Sequence, residues 1–217
     1  MPQYPEALPL LTAALLIGSY ILGSIPFGLL IVSAWRGIDI RKYGSGNIGA
    51  TNVLRTAGKV PAVLVFIADV SKGFLPVIVA ERLFPGMLWM PVLAGLCAMV
   101  GHTASIFLRF QGGKGAATGL GIYLGLNPVA AAIGFAIWIL LIRITRYVSI
   151  ASMIGAASIP VTFCVVHQPI PDKVFALFAT AYVVFKHRSN IRRLVQGTES
   201  KWGEKAKASE DSHAEGN

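Results

Sequence analysis

Long apolar segments separated by short polar ones constrain this chain more than any other feature of its sequence. The first, at residues 8–35, is long enough to cross the roughly 30 Å of hydrocarbon in a bilayer. Charged residues make up only 13% of the chain, against about 25% in soluble domains. The sequence therefore predicts an all-α integral membrane protein and excludes a water-soluble globular domain.

Seven apolar segments qualify as membrane spans. They lie at residues 8–35, 60–79, 87–108, 116–126, 129–141, 150–166 and 174–184. We predict seven transmembrane helices in one domain over residues 1–195, with a kink at Pro26 in the first. Residues 196–217 are rich in Lys, Glu and Ser, which predicts a disordered cytoplasmic tail. Cys97 and Cys164 lie in apolar segments and are expected to be buried thiols, so neither a disulfide nor a metal or other cofactor is predicted.

The placement of the basic residues predicts the orientation in the bilayer. With seven spans and an outer N-terminus, all but three of the 19 Lys and Arg residues fall on the inner side. The exceptions are Arg82 and Lys173 on the outer side and Lys72 within a span. Cytoplasmic segments carry the excess of Lys and Arg, so we expect a cytoplasmic C-terminus. The net charge of +9 then suits anionic lipid or substrate at the inner face and predicts no nucleic-acid partner.

A first polar motif, GSGNIGATNVLR at residues 44–55, follows the first span. Glycines such as Gly44 and Gly46 allow positive φ and let backbone N–H groups approach an anion. Arg55 adds a planar fork suited to phosphate. Four neutral side chains that can hydrogen-bond to a ligand accompany it: Ser45, Asn47, Thr51 and Asn52. An anion site is the interpretation we favour over an ordinary polar loop.

A second motif begins at His102, at the inner end of the third span, and continues in a glycine loop before the next helix. Its further members are Gly112, Gly113, Lys114, Gly115 and Thr118. A helix that starts directly after such a loop presents free N–H groups and a positive end to an anion. The loop is not a Walker A motif, because Leu108 stands where that motif has Gly and Gly115 stands where it has Ser or Thr.

A third cluster follows the last span, at residues 186–199. A basic run is usually a stop at the end of a span, but His187 and Asn190 are three residues apart and share a helix face. Glu199 comes shortly after them. Ser149 closes another basic turn at the same predicted level of the membrane.

Two ionisable residues, Asp69 and Lys72, lie in the middle of the second span. Their spacing places them on one helix face. Charged groups inside a membrane are costly and mark either a structural ion pair or a polar site. The sequence leaves both interpretations open.

Together these motifs resemble the bacterial acyl-phosphate:glycerol-3-phosphate acyltransferase family, the PlsY family. The resemblance covers the chain up to the tail. It is carried by residues 45–55, by Gly101-His102 with the loop at 112–115, and by His187, Asn190 and Glu199. The chain departs from the family at Ala104-Ser105, where Phe-Pro is usual, and this leaves the preferred acyl-chain length open.

The resemblance implies transfer of a fatty acyl group from acyl phosphate to the 1-hydroxyl of sn-glycerol 3-phosphate. The products would be lysophosphatidic acid and inorganic phosphate, in the first step of bacterial phospholipid synthesis. It further implies a cofactor-free monomer in the inner membrane with its site facing the cytoplasm. An acyl phosphate already carries a good leaving group, and no Ser or Cys stands beside a clear base, so direct transfer without an acyl-enzyme is expected.

The resemblance also implies roles for individual residues. The catalytic group would be Ser45, Arg55, His187 and Asn190. Substrate and phosphate contacts would come from Gly44, Gly46, Asn47, Thr51, Asn52, His102, Gly112, Gly113, Lys114, Gly115, Thr118 and Ser149. Structural support near the site would come from Asp69, Lys72 and Glu199. The general base stays open between His187, His102 and a substrate phosphate oxygen.

A transporter for an organic phosphate or similar anion is the alternative from another class. Intramembrane Asp69 and Lys72 suit a transporter. Transporters usually have repeated halves and a site near the midplane. The sequence has no internal repeat, and its polar motifs gather at one face, so the enzyme is favoured.

Overall fold

The structure, a computed structural model, describes residues 8–204, and over this range it is helical with connecting loops and no strand. The predicted all-α class is confirmed. The helices are α1 (Leu8–Ser24), α2 (Phe27–Arg36), α3 (Ala50–Thr56), α4 (Lys59–Leu83), α5 (Trp89–Thr103), α6 (Ala116–Leu126), α7 (Pro128–Thr145), α8 (Val148–Val165), α9 (Ile170–Lys186) and α10 (Arg188–Val195). The predicted kink at Pro26 is confirmed, because the first apolar segment breaks there into α1 and α2.

Five helical segments are long and apolar enough to cross a membrane: Leu8–Arg36, Lys59–Leu83, Trp89–Leu108, Pro128–Thr145 and Val148–Val165. The other two predicted spans correspond to α6, with 11 residues, and α9, with 17. At 1.5 Å per residue, α6 is about 16 Å long, roughly half the thickness of the hydrocarbon core. The count of seven spans and the orientation therefore stay predictions.

Glycines bring two pairs of helices to backbone contact. A Cβ added to Gly73 of α4 would overlap the backbone oxygen of Thr118 in α6, and Gly121 approaches the α4 backbone as closely. Gly23 and Gly101 make the same kind of contact between α1 and α5. Small residues at such crossings let membrane helices pack without a gap. The contacts of Gly73 and Gly121 hold the short α6 against the longer α4.

The largest apolar core surrounds α6. Ile122 of α6 is fully buried and packs with Val77, Met99 and Phe163 from three other helices. The outer faces carry large apolar side chains, as expected of helices in lipid. Cys164 is exposed on α8, so the prediction that it is buried is wrong. On a membrane helix the lipid-facing positions are as apolar as the core, and hydropathy does not separate the two.

Residues 196–204, which belong to the predicted tail, fold back onto the helices. The Trp202 N–H donates to the Arg146 backbone oxygen at 2.6 Å, and Arg55 Nη2 donates to the Ser200 backbone oxygen at 2.9 Å. Contacts with the helical domain thus continue beyond the boundary predicted at residue 195. Residues 205–217 lie outside the described residues.

The glycine contacts of α6 predict unequal effects of adding one methyl group. Gly73→Ala should lower the free energy of unfolding by about 1–3 kcal/mol, since the new Cβ meets backbone rather than a movable side chain. Gly18→Ala is the matched control, because nothing lies within 4 Å of a Cβ added to this α1 glycine. Thermal unfolding in detergent measures both. Equal stability of the two variants would contradict the proposed close packing of α4 and α6.

Candidate active site

The three polar motifs meet around one cavity of about 180 Å³. Its polar lining comprises Ser45, Asn47, Thr51, Asn52, Arg55, Asp69, His102, Lys114, Ser149, Ser152, His187, Asn190, Arg193 and Glu199. Its apolar lining includes Phe66, Met99, Leu120, Tyr123, Phe135, Trp138 and Ile159. Most of the polar residues come from loops and helix ends, and the apolar ones from helix interiors. The cavity can therefore hold a molecule with a charged head and an apolar chain.

The first motif forms a loop that Asn52 holds in place. This buried side chain accepts a hydrogen bond from the Ser45 N–H at 3.0 Å and donates to the backbone oxygens of Tyr43 and Asn47 at 3.0 and 2.9 Å. Its amide is engaged by the loop itself, whereas the sequence predicted a substrate contact. Gly46, with φ of 68°, makes the turn possible, as does Gly44 with φ of 59°.

The second motif is arranged differently from the predicted phosphate cradle. The N–H groups of Gly112 and Gly113 donate to the backbone oxygens of Thr103 and His102, at 3.2 and 3.0 Å, and so cap the end of α5. A Cβ on Gly113 would overlap the His102 ring, so glycine is required here by the imidazole. Gly112 and Gly113 thus shape the site without offering free donors.

Free donors lie instead at the start of α6. The first backbone bond of this helix runs from the Gly119 N–H to the Gly115 oxygen, at 2.7 Å. The N–H groups before Gly119 have no partner within the helix, and Ala116 and Ala117 line the cavity. Thr118, predicted as a substrate contact, is fully buried against α4 and does not line it.

Glu199 joins the start of α8 to the third motif and, through Asn190, to Lys114 of the second. Its Oε1 accepts from Ser149 Oγ at 2.8 Å and from Asn190 Nδ2 at 2.7 Å, and its Oε2 accepts from Arg193 Nε at 2.7 Å. Asn190 Oδ1 in turn accepts a hydrogen bond from Lys114 Nζ. The predicted structural role of Glu199 agrees with these contacts. Sequence reasoning missed Arg193, because its basic run looks like an ordinary stop after a span.

Burial and neighbouring charges set the protonation of the polar end. Burial, with the positive charge of Arg193, lowers the pKa of Lys114 to about 8. Burial acts to raise the pKa of the Glu199 carboxyl, but the hydrogen bonds from Asn190, Ser149 and Arg193 bring it below its usual value. Glu199 is thus ionised near neutral pH, and Lys114 is largely charged.

His187 presents one nitrogen to the cavity as an acceptor. Its Nδ1 lies 2.8 Å from the Val183 backbone oxygen, and since a carbonyl only accepts, Nδ1 carries the proton. Burial and the charge of Lys114 lower the pKa of His187 to about 4. The imidazole is therefore neutral near pH 7, with an unprotonated Nε2.

A buried polar cluster underlies the loop of the second motif. Lys72 Nζ lies 2.8 Å from Asp69 Oδ1 and donates to the Ile25 backbone oxygen at 3.0 Å. His102 Nδ1 lies 3.6 Å from the same Asp69 oxygen. Asp69 and His102 line the cavity. Asp69 and Lys72 form an ion pair, which is one of the two interpretations that the sequence left open.

A second cavity, of about 240 Å³, adjoins the first. The two share Ser45, Asn47, Lys114 and Arg193. The second also contains the cations Lys186 and Arg188, which sequence reasoning did not select. Among the described residues, no three His, Cys, Asp or Glu side chains are placed to hold a metal ion.

Residues 13–197 match the family model described as glycerol-3-phosphate acyltransferase. The chain belongs to this family. The glycerol-3-phosphate acyltransferase of Desulforamulus reducens is 45% identical over 194 residues, covering 89% of this chain and 96% of the relative. That of Geotalea daltonii is 46% identical over 186 residues, covering 86% and 95%. The resemblance to an acyltransferase family is confirmed.

Two solved structures of PlsY, an integral membrane glycerol 3-phosphate acyltransferase, share the fold of this family member. The glycerol 3-phosphate form superposes with a TM-score of 0.85 at 39% identity, covering 88% of this chain and 96% of the other. The lysophosphatidic acid form gives 0.83 at 38% identity, covering 88% and 95%. Together with the apolar helices, this likeness supports a multi-pass membrane acyltransferase.

Glu199→Gln tests the contacts that join the motifs. A carboxylate with a lowered pKa adds stability above its usual pKa of about 4.3, and this contribution disappears as pH falls through the lowered value. The variant should therefore unfold at a lower temperature than the unmodified chain at pH 7, and the difference should narrow towards pH 3. Thermal unfolding in detergent across this range measures it. A difference in unfolding temperature that does not change with pH would count against an ionised Glu199.

Proposed function

We propose that this acyltransferase moves a fatty acyl group from an acyl phosphate to the 1-hydroxyl of sn-glycerol 3-phosphate. Lysophosphatidic acid and inorganic phosphate are the products. The observation that carries the proposal is the single cavity with a cationic polar end and an apolar interior. One end suits two phosphates, and the other suits a fatty chain. The solved PlsY structures, in glycerol 3-phosphate and lysophosphatidic acid forms, support the same acceptor and product.

In this proposal Lys114 contacts both phosphates. Each substrate brings one phosphate, and Lys114 lies between the two cavities. The Arg55 guanidinium and the N–H groups at the start of α6 supply further donors on the side of the first cavity. Ser45 and Asn47 line both cavities and add neutral donors where the substrates meet.

The proposed reaction is direct. The acceptor hydroxyl attacks the acyl carbonyl carbon, a new ester C–O bond forms, and the anhydride C–O bond breaks with its electron pair leaving on phosphate. His187 Nε2 accepts a hydrogen bond from the hydroxyl and orients it. With a pKa of about 4 the imidazole is a weak base, so we assign the final proton to the departing phosphate. Arg55 and Ser45 stabilise the charge that develops on the carbonyl and phosphate oxygens.

We further propose that the site faces the cytoplasm from a bacterial inner membrane, in a monomer with seven spans, an outer N-terminus and a cytoplasmic C-terminus. The distribution of Lys and Arg supports this orientation. Both proposed substrates are anions, and the basic residues at this end of the bundle match them. In this arrangement the acyl chain lies between helices at the depth of the lipid chains.

Phosphate release by the purified protein in detergent tests the reaction. Palmitoyl phosphate with glycerol 3-phosphate should give inorganic phosphate and lysophosphatidic acid in equal amounts, while acyl-CoA and acyl-carrier-protein thioesters should give neither. Turnover with thioesters alone would show that acyl phosphate is not the acyl donor. Absence of turnover with every donor, in a folded protein that binds glycerol 3-phosphate, would favour an anion transporter.

The lowered pKa of Lys114 predicts that kcat/KM declines at alkaline pH. Because the ammonium loses its proton above a pKa of about 8, kcat/KM should fall above that pH. Lys114→Arg keeps its charge to much higher pH, so it should remove this decline even if its maximal rate is lower. Initial rates between pH 6 and 10 measure both proteins. If kcat/KM falls at the same alkaline pH in both proteins, Lys114 does not contact the substrate phosphates as proposed.

A further inference from the structure

Residues 199–202 form a segment beside the polar end of the first cavity, which Glu199 lines, and we call this segment the C-terminal strap. Glu199 is bonded within the site, as described above. The Ser200 backbone oxygen accepts from Arg55 at 2.9 Å. Trp202 and Arg146 exchange two bonds, from the Trp202 N–H at 2.6 Å and from Arg146 Nη2 at 3.3 Å. Backbone atoms therefore hold the strap against α3 and against the turn between α7 and α8.

The Trp202 side chain continues the strap into the wall of the cavity. Its ring meets Trp138 edge to face, with centroids 6.4 Å apart and planes at 85°. Trp138 stacks on Phe135 at 5.5 Å, and Phe135 lies 6.2 Å from Phe66. The last three line the cavity, whereas Trp202 does not. An aromatic row thus runs from the strap to the apolar interior.

Trp138 packs against the apolar cluster of Ile142, Val148 and Ala151. Its Nε1–H donates to Ser152 Oγ at 3.2 Å, and Phe135 covers one of its faces. Trp202 meets it from the strap while remaining 38% exposed. The Trp202 ring contacts the Trp138 indole and so limits the orientations that the indole can adopt. Edge-to-face pairs stabilise such an orientation beyond the area that they bury.

We propose that Trp202 is a positioning residue that sets acyl-donor binding by fixing the Trp138 wall of the cavity. This inference rests on the proposed acyl transfer. It concerns the ring alone, because the bonds of the strap to Arg55 and Arg146 use its backbone. Loss of the ring therefore loosens the apolar wall and leaves Arg55, and with it the polar end, in place.

Trp202→Ala, Trp202→Phe and the adjacent control Lys201→Ala test the inference in purified full-length protein. For Trp202→Ala, the KM for palmitoyl phosphate should rise about three- to tenfold, the effect of one aromatic pair. The KM for glycerol 3-phosphate should stay within about twofold. For Trp202→Phe, the KM for palmitoyl phosphate should stay close to that of the unmodified protein. Lys201→Ala should change neither KM.

A double variant tests whether Trp202 acts through Trp138. If it does, Trp138→Leu combined with Trp202→Ala should raise the donor KM no further than Trp138→Leu alone, since the two residues are coupled. The inference is overturned if the effects of the two substitutions on the donor KM multiply in the double variant. It is also overturned if Trp202→Ala changes the KM values of both substrates equally or leaves the donor KM unchanged. Turnover of the unmodified protein in the same assay tests the proposed function separately, so the two failures are distinguishable.

Discussion

The burial of one ammonium group determines how the polar end of this bundle is arranged. Lys72 is 1% exposed and lies inside an apolar bundle, where an unpaired charge costs several kcal/mol. Asp69 pairs with it, and the Phe27 ring lies 5.6 Å from its nitrogen. Its third neighbour is the backbone oxygen of Ile25, which lies at the break between α1 and α2. The ion pair thus fixes α4 against the junction of α1 and α2.

The same cluster leads to the site. The Asp69 carboxylate lies beside His102, and the His102 ring occupies the space that Gly113 leaves by having no Cβ. Gly113 directly precedes Lys114, whose ammonium bonds to Asn190 and through it to Glu199. Charges deep in the bundle and charges at its mouth are therefore one connected arrangement. The second and third motifs therefore depend on each other's contacts.

The sequence was informative where chemistry alone identifies a residue. Glycine, Lys, Asn and His at close spacing predicted which segments meet, and Ser45, Arg55, Lys114, His187 and Asn190 all line the cavity. Spacing did not reveal which N–H groups stay free, because the chain turns back after α5 and the N–H groups of Gly112 and Gly113 bond to the backbone oxygens of Thr103 and His102. It also did not reveal the packing of residues 196–204, since their polar composition is that of a tail. Their order comes from contacts with Arg55 and Arg146.

The short α6 has a consequence for how the protein is made. A helix of 11 residues buries too little apolar length to stay in a bilayer alone. Its glycine contacts are with α4, and it also packs against α5; both helices are synthesised before it. Insertion of α6 therefore depends on a surface that these two earlier helices have already formed in the membrane. The order of elements along the chain thus lets α6 enter against two helices that precede it, and α8, which also packs against α6, is added later.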